Sequence, residues 1–442
     1  MNILISKPDS LGDQLIATGY VQQLLEAFPE SRIIWHVRAG MEVVADLIPE
    51  ASCFDLNLQV DPIVEARRLS LLPLGQIYFL SYPLHPLNDW NENTTDHVLW
   101  WKALIGAISW DVAISPMVNR SWLSDMTVAL SRAPKRVGFK KNETYQLFTE
   151  HVAQMLEVEE PYFTKEIPSS LEESEYMQME RLFCLFLQER GDLSPDIKID
   201  VKSAADTSDK KVALIAPGVG ENLERAWPLE KFLQLGEVLR GKGFRLVWIE
   251  GPEDVSTFED FPEKFKSEHK ILSINSLHAL SSLMKKASLV ICNDTAYAHL
   301  AAALNRPTVA IYGAGQEERF FPRRGKVKVV HGVIPCRSCQ WFCQFDYRAC
   351  VKDIPLQSVT TAAETVIDKS DFTPLRVDIS PPLDEKVEIS EKLREKMQQN
   401  TVTGSWESWS RLQVLHEAAY RLQNCLIERA ELREKIKGLE GK

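Results

Sequence analysis

The amino-acid sequence predicts an α/β protein built from two doubly wound, Rossmann-like domains. Short apolar runs of strand length alternate with amphipathic stretches of helical spacing, which is typical of a parallel sheet covered on both faces. The alternation weakens after about residue 161 and restarts at Val212, so a second domain of the same kind follows the first. Ligands of such sheets bind beyond the carboxyl ends of the strands, so functional residues are expected there.

The first domain, assigned to residues 1–190, opens with a strand, a loop and a helix. Strand Asn2–Ser6 leads through a loop with glycine and proline into helix Asp13–Phe28, whose apolar residues recur at helical spacing. Further strands of this domain are predicted at Arg32–Val37, Ala51–Phe54, Gln76–Leu80 and Val112–Ile114. The polar run SAADTSDKK falls in residues 191–211, which we assign to a linker.

The second domain is assigned to residues 212–366. Its predicted elements before residue 288 are strand Val212–Ala216, helix Leu229–Arg240, strand Arg245–Ile249 and helix Ala279–Lys286. Residues 367–404 are rich in proline and charge and are predicted to form a linker or a surface strap. Residues 405–442 give a C-terminal helical extension with one apolar stripe, which suits docking on the body better than a coiled coil and leaves oligomerisation open.

Residues 288–315, SLVICNDTAYAHLAAALNRPTVAIYGAG, are the stretch around which the second domain is organised. Two buried strands, Leu289–Cys292 and Thr308–Tyr312, flank a helix at Ala296–Leu304. The unpaired amides at the start of that helix would suit a diphosphate. Taken alone, the pattern favours a simpler interpretation, in which Asp294 is only a helix cap and His299 is only a buried core histidine.

Composition and charge narrow the class of protein. The apolar fraction of 45% and the charged fraction of 26% are those of a soluble globular protein. A formal charge of −11 argues against general nucleic-acid binding. The sequence has no signal-peptide pattern at its start and no apolar run long enough to cross a bilayer, so we expect a cytoplasmic location. Two basic clusters are read as solvated surface, with an anionic acceptor or a membrane face as the alternative: Arg132, Lys135, Arg136, Lys140 and Lys141, then Arg319, Arg323, Arg324, Lys326 and Lys328.

Four motifs follow one another along the chain. They are SKPDSLGDQLIATGYVQQLLEAFP at 6–29, APGVGENLERAWPLEKF at 216–232, IEGPED at 249–254 and NDTAYAHLAAALNRPTVAIYG at 293–313. Their order and spacing resemble glycosyltransferase family 9, the heptosyltransferases of lipopolysaccharide core synthesis. The resemblance implies a GT-B fold, with two domains facing a cleft, and an inverting, metal-independent reaction. The expected reaction moves a heptose from a nucleotide diphosphate sugar, ADP-heptose, to a hydroxyl of a lipopolysaccharide core-type acceptor.

The first motif supplies the catalytic base that the resemblance implies. Asp13 stands where the family has its catalytic carboxylate, and a base is needed to take the proton of the acceptor hydroxyl. By the same match, Ser10 and Gly12 belong to the loop of the site. An aspartate that only stabilises the start of a helix is the simpler alternative.

The second and third motifs imply contacts to the donor. Arg225 stands two residues before Trp227-Pro228, where a fixed cation would neutralise charge on the departing diphosphate. Many relatives carry lysine there, and arginine offers a different geometry. Glu253 matches the turn beneath the nucleoside and could bind ribose hydroxyls, or it could be an exposed acid at a helix start.

The fourth motif matches the family at Asp294, Thr295 and His299, which are implied to bind the donor. Ala296 replaces the family's glycine, and a methyl group there requires a backbone with negative φ. In the first domain Arg120 is implied to contact an acidic, glycolipid-type acceptor, which leaves peripheral contact with the inner membrane open. Transfer of another sugar, transfer onto a protein or another polysaccharide, and a catalytically weak assembly protein are the alternatives.

The segment CRSCQWFCQFDYRAC at 336–350 brings four thiols close together. Such spacing suits a structural zinc or iron ion, although the sugar transfer itself requires no metal cofactor. Reduced thiols packed among aromatic rings, or a redox-labile pair, are the alternatives, and a cytoplasmic location disfavours disulfides. The four candidate ligands are Cys336, Cys339, Cys343 and Cys350.

Overall fold

The computed structural model shows two compact units, Met1–Ser203 and Ala204–Lys442. The residues that the structure describes are 1–83, 92–140, 152–154, 156–170, 173–187, 211–220, 223–252, 254, 258, 266, 269–316, 318–334, 347–369 and 371–379.

The first unit is a parallel sheet with helices on both faces. Its described strands are β1 (Asn2–Ser6), β2 (Arg32–Arg38), β3 (Ala51–Phe54), β4 (Gln76–Tyr82), β5 (Val112–Ser115), β6 (Lys135–Phe139) and β7 (Lys165–Ile167). Its described helices are α1 (Leu11–Ala27), a 3₁₀ helix (Met41–Leu47), α2 (Pro62–Ser70), α3 (Glu92–Gly106), α4 (Trp122–Leu130) and α5 (Glu175–Leu187).

The second unit repeats this plan. Its described strands are β8 (Val212–Ala216), β9 (Arg245–Glu250), β10 (Ile271–Ser273), β11 (Leu289–Asn293), β12 (Thr308–Tyr312), β13 (Val327–Val333) and β14 (Leu375–Asp378). Its described helices are a 3₁₀ turn (Leu223–Arg225), α6 (Leu229–Gly241), α7 (Leu277–Lys285), α8 (Ala296–Ala303), α9 (Ala349–Lys352) and α10 (Leu356–Lys369).

Each sheet has seven described strands, and in each sheet the strand order switches sides beside the first strand. The orders are β3-β4-β2-β1-β5-β6-β7 and β10-β9-β8-β11-β12-β13-β14, and the recorded strand pairs are parallel. In both sheets the chain first builds one side of the opening strand and then crosses to its other side, and in the first sheet β4 inserts between β2 and β3. The switch points therefore lie between β1 and β5 and between β8 and β11, which is where ligands of doubly wound sheets bind.

Side chains alternate between the two faces of the first sheet, and helices bury both faces. Leu4, Ile34 and Tyr78 point to the face covered by α2, α3 and α4. On the opposite face α1 packs against α5, where Tyr20 stacks on Phe183 with ring centroids 5.5 Å apart. Helices on both faces leave the strand ends as the places where polar groups can collect.

The core of the second unit is built around aromatic side chains and aliphatic strand residues. Trp227 and Trp248 are almost fully buried, and the Trp227 ring meets the Phe232 ring of α6 edge-on at 4.9 Å. Helices α6, α9 and α10 cover one face, and the indole N–H of Trp227 donates to the carbonyl of Ile354 at 3.0 Å. The segment that follows β8 is thus fixed to the body before it enters α6.

The predicted α/β class with two parallel sheets is confirmed. Several strands were not predicted: β6, β7, β10, β13 and β14. Helix α10 continues to Lys369, and Leu375–Asp378 adds an edge strand beside β13, within the predicted linker or strap. The domain boundaries remain predictions, and the C-terminal helix at 405–442 lies outside the described residues.

The second basic cluster is not a uniformly solvated surface. Arg319 is 2% exposed and Lys328 is 5% exposed. The Lys328 ammonium donates to Asp371 at 3.1 Å and to the carbonyl of Thr373 at 2.8 Å. Hydrogen bonds, first those from Thr373, lower the pKa of the Asp371 carboxyl to about 2. Lys328 therefore ties β13 to the segment that leads into β14.

We predict that acid weakens the first unit through His36. This histidine of β2 is fully buried, its Nδ1 lies 2.9 Å from Ser6 Oγ, and burial lowers its pKa to about 3. Between pH 6.5 and 3 the unfolded chain binds a proton there that the folded chain does not, so stability is lost as pH falls through this window. His36→Gln should reduce the loss of unfolding free energy between pH 7 and pH 5 by about 2 kcal/mol.

The measurement is denaturant unfolding of both proteins at each pH. His278→Gln, at a partly exposed position of α7, is the control for removal of a histidine that does not lie in the core. The same loss in His36→Gln and wild type would contradict the assignment of His36 as a buried neutral group.

Candidate active site

The switch point of the second sheet is held together by one buried asparagine. Asn293 ends β11 and is fully buried. Its Nδ2 donates to the carbonyl of Pro217, the residue after β8, at 2.7 Å. Its Oδ1 accepts from the backbone N–H of Trp227 at 3.2 Å. One side chain therefore fixes both ends of the segment that carries Arg225.

Asp294 and His299, two of the predicted donor-binding residues, both lie close enough to Arg225 for its charge to act on them. Asp294 is 4% exposed, and burial raises the pKa of its carboxyl, although the charge of Arg225 and a hydrogen bond from the Tyr312 hydroxyl oppose the shift. Burial and the charge of Arg225 lower the pKa of His299 to about 4. The structure thus brings together a cation, a buried carboxyl and an imidazole that is neutral at pH 7.

Helix α8 begins beside this cluster. Thr295 is the residue before its first turn and has extended backbone geometry, with φ −148 and ψ 176, and it makes no side-chain cap hydrogen bond. Ala296 is the first helical residue, and the described non-glycine residues with positive φ lie elsewhere, at Arg132, Glu157 and Asn305. The methyl group of Ala296 therefore meets no backbone conflict, and the first amides of α8 can donate to an anion.

Asp254 was not singled out from the sequence, although it is central to the loops of this site. It is 5% exposed and lies four residues after β9. Its Oδ1 accepts from the N–H of Gly220 at 2.8 Å, and its Oδ2 accepts from the N–H of Gly251 at 3.0 Å and from the Tyr297 hydroxyl at 3.1 Å. The only sequence signal was its place just after a strand end, in the motif IEGPED.

The 3₁₀ turn that carries Arg225 has a second anchor. Its neighbour Glu224 pairs with the Arg348 guanidinium, whose Nη2 donates to Glu224 Oε1 at 2.6 Å. Lys231 of α6 donates to the carbonyls of Lys352 at 2.7 Å and Ile354 at 2.9 Å. The turn and the start of α6 are therefore tied to the segment around α9, which overlaps the end of the cysteine-rich stretch.

In the first unit the predicted base lies in the first turn of α1. Ser10 is the residue before the helix, and Gly12 and Asp13 lie in its first turn. The Ser10 hydroxyl donates to Asp13 Oδ2 at 2.5 Å. A serine at this position usually binds a backbone N–H of its own helix. Here it instead orients the carboxylate of Asp13, which keeps its other oxygen available.

A buried lysine supports the loop before α1. The Lys7 side chain is fully buried, and its ammonium donates to Asp9 Oδ2 at 3.3 Å and to the carbonyl of Pro116, after β5, at 3.2 Å. Burial lowers the pKa of Lys7, but the carboxylates of Asp9 and Asp13 outweigh it and raise the pKa above the usual range. Lys7 thus remains charged and holds the two sides of the first switch point together.

Arg120 occupies a buried position instead of an open surface. Its side chain is 1% exposed, and the guanidinium donates to Asp125 Oδ2 at 2.9 and 2.6 Å, to the carbonyl of Phe139 at 3.2 Å and to Glu166 at 3.1 Å. It also lies over the Phe163 ring, 4.7 Å from the centroid. In this arrangement Arg120 supports the strands and helix around it, and contact with an acceptor remains a prediction.

Two predictions concern residues outside the described part of the chain. Glu253 lies outside it, as do Cys336, Cys339 and Cys343. Cys350 is described, in α9, where burial raises the pKa of its thiol. Among the described residues no group of three or more His, Cys, Asp or Glu side chains could hold a metal ion. The structural zinc or iron remains a prediction.

The two doubly wound units, each with polar side chains gathered at its switch point, define an α/β protein of the GT-B class. Residues 102–342 match the model of glycosyltransferase family 9 (heptosyltransferase), more than half of the chain. The chain belongs to this family, and it is a glycosyltransferase.

Curated relatives agree with the family. The chain is 22% identical over 346 residues to lipooligosaccharide heptosyltransferase 2 of Haemophilus influenzae, covering 75% of this chain and 88% of that protein. It is 21% identical over 326 residues to the protein of the same name from Haemophilus ducreyi, covering 71% of this chain and 83% of that one.

Solved structures share the fold. A family 9 glycosyltransferase from Veillonella parvula matches with a TM-score of 0.56 and 16% identity over 83% of this chain and 97% of the other. The Escherichia coli ADP-heptose lipopolysaccharide heptosyltransferase II matches with a TM-score of 0.50 and 16% identity over 83% and 98%. Within the described part of our chain, no helix has both the length and the apolar character needed to cross a membrane.

We predict that Asn293→Ala destabilises the second unit. The substitution leaves the carbonyl of Pro217 and the N–H of Trp227 without their partner in a buried place, which costs about 1–3 kcal/mol for each unsatisfied group. Denaturant unfolding measures the loss. Gln357→Ala is the control, because Gln357 is exposed and bonds only to Thr361 of its own helix, and a loss as small as in this control would contradict the role of Asn293.

Proposed function

We propose that the protein transfers a heptose from a nucleotide diphosphate sugar, ADP-heptose, to a hydroxyl of a lipopolysaccharide core-type acceptor, with inversion at the anomeric carbon. The observation that carries the proposal is the cluster of Arg225, Asp294 and His299 beside the start of α8, in a chain of family 9. A departing diphosphate needs fixed cations and N–H donors, and this cluster offers both.

The donor is assigned to the second unit on physical grounds. The first amides of α8 and the guanidinium of Arg225 are positive groups at the switch point of the second sheet. His299 is neutral at pH 7, so it adds a hydrogen-bonding group without adding charge. The named relatives act on heptose, and the choice of ADP-heptose follows the name of the E. coli protein with the same fold.

Asp13 is assigned as the general base. Direct displacement at the anomeric carbon requires that the acceptor hydroxyl lose a proton as it attacks. Asp13 lies at the first switch point, and the hydroxyl of Ser10 orients its carboxylate. Donor binding and base catalysis are thereby assigned to different units, and Arg120, Ser10 and Gly12 remain candidates for contact with acceptor or donor.

The proposal is tested by incubating the full chain with ADP-heptose and a lipopolysaccharide core-type acceptor, and by analysing the product by mass spectrometry. A mass gain of one heptose and a change of anomeric configuration are expected. UDP- and GDP-sugars are offered in parallel. Transfer from one of these donors, with none from ADP-heptose, would replace the proposed donor while keeping the enzyme class.

Asp13→Asn should lower turnover by roughly 10²–10⁴-fold, because asparagine keeps the shape of the side chain but cannot accept the proton. The affinity for ADP, measured by calorimetric titration, should stay within about twofold, since the nucleotide is assigned to the second unit. Asp46→Asn, an exposed change in the same unit, is the control. Unchanged turnover in Asp13→Asn would exclude this residue as the base.

Arg225→Ala should weaken ADP binding and turnover together, because one cation meets both the bound and the departing diphosphate. We expect a loss of about tenfold or more in ADP affinity and of roughly 10²-fold in turnover. Arg225→Lys keeps the charge without the planar fork and should recover part of both.

Arg245→Ala is the matched control, an exposed arginine at the start of β9. Loss confined to the KM of the acceptor in Arg225→Ala would contradict the assigned role.

A further inference from the structure

Asp254 gathers three donors from three different segments of the second unit. The N–H of Gly220 belongs to the loop after β8, the N–H of Gly251 follows β9, and the Tyr297 hydroxyl lies in the first turn of α8. Both carboxyl oxygens are therefore occupied, and the side chain is 5% exposed. These contacts join the two loops and the helix that surround the proposed donor site.

The glycines around Asp254 show how closely this arrangement is packed. A methyl group on Gly218 would lie 2.1 Å from the Asp254 carboxyl carbon, and one on Gly251 would lie 2.9 Å from the Tyr297 oxygen. Gly220 adopts φ 60, a left-handed conformation that glycine adopts without strain. The sequence thus provides glycine at the positions where the carboxyl group approaches the backbone.

Asp254 does not act on the ligand directly in this arrangement. Burial and the neighbouring Asp254 raise the pKa of Tyr297, so its hydroxyl remains protonated and can donate. A carboxyl group whose two oxygens already accept three hydrogen bonds is well suited to fix the backbone around it. The loop after β8 leads from Gly220 to Arg225, and α8 starts one residue before Tyr297.

We infer that Asp254 and Tyr297 form a positioning pair that fixes Arg225 and the first turn of α8 relative to each other for binding of the diphosphate. The inference rests on the proposed function, since it assigns the diphosphate to these groups. Asn293 holds the two ends of the Arg225 segment, and the positioning pair holds its middle at Gly220. A ligand that contacts two elements binds more tightly when their spacing is set beforehand.

The pair is tested with Tyr297→Phe, Asp254→Asn and the double variant of the full chain. Tyr297→Phe removes one hydrogen bond, and Asp254→Asn replaces one acceptor oxygen with a donor that faces other donors. Each should weaken ADP binding by about tenfold or more in calorimetric titration. The double variant should bind about as weakly as Asp254→Asn alone, because both changes break the same arrangement.

Gly218→Ala should disturb the same contacts of Asp254 by steric overlap. The added methyl group must displace the carboxyl group of Asp254, so ADP affinity should fall to a similar degree. Tyr347→Phe is the matched control, because Tyr347 also donates to an aspartate, Asp353 at 2.6 Å, but on an exposed surface of the same unit. It should bind ADP as wild type does.

Hydrogen exchange of the ligand-free proteins decides the inference without any nucleotide. In Tyr297→Phe, peptides that contain Gly220 and Gly251 should exchange about tenfold faster or more, while Tyr347→Phe leaves them unchanged. If the wild-type protein bound no ADP, the proposed donor would be wrong. The hydrogen exchange of the variants would still test the positioning pair. The positioning pair would be overturned if Tyr297→Phe exchanged at the wild-type rate, or if all three single variants bound ADP with wild-type affinity. It would also be overturned if the losses of ADP affinity in the two single variants multiplied in the double variant.

Discussion

The candidate site depends on the reversal of strand order between β8 and β11. A parallel sheet with helices on both faces buries its central strands completely, so polar side chains collect where these strands end. At the switch point the neighbouring connections leave in opposite directions and leave a space between them. Asn293, the last residue of β11, uses this place to bind the chain on both sides of the Arg225 segment. The position of the cation therefore follows from the order of the strands.

In the first sheet, the two sides of the switch point are held together by a charged side chain instead of an amide side chain. Lys7 follows β1, is fully buried, and binds the carbonyl of Pro116 beyond β5. A buried ammonium must be compensated, and Asp9 and Asp13 supply negative charge close by. The loop before α1 is thus held in place by the same groups that surround the proposed base. In each unit, the residues that hold the loops in place and the residues with proposed chemical roles lie at the same strand ends.

The sequence predicted those elements whose signal is local. Asn2–Ser6 and Val212–Ala216 are short apolar runs, and the structure has strands at these residues. Strand β6 was missed because KRVGF starts with two charges and contains a glycine, which favours a loop or a basic surface. Edge strand β14, LRVD, was included in the predicted linker or strap because its neighbours are rich in proline and charge. These strands depend on pairing with β5 and β13, which no local pattern reveals.

The candidate site also combines residues that a local motif predicted with residues that it did not. Asp294 and His299 were predicted because they stand at fixed spacing in one motif. Asp254 depends on one near neighbour, Gly251, and on two donors that are distant along the chain, Gly220 and Tyr297. The burial of Arg120 was not foreseen either, because two of its partners, Phe139 and Glu166, are brought to it by the pairing of strands. Residue type and motif support the proposed chemistry, while the contacts around each residue depend on the fold.

A crystal structure of the full chain with ADP bound would show which unit holds the donor. We expect the diphosphate within hydrogen-bond distance of the first amides of α8, with the guanidinium of Arg225 beside it. A diphosphate bound at the carboxyl end of β1 in the first unit, with the start of α8 vacant, would rule out the donor site proposed for the second unit.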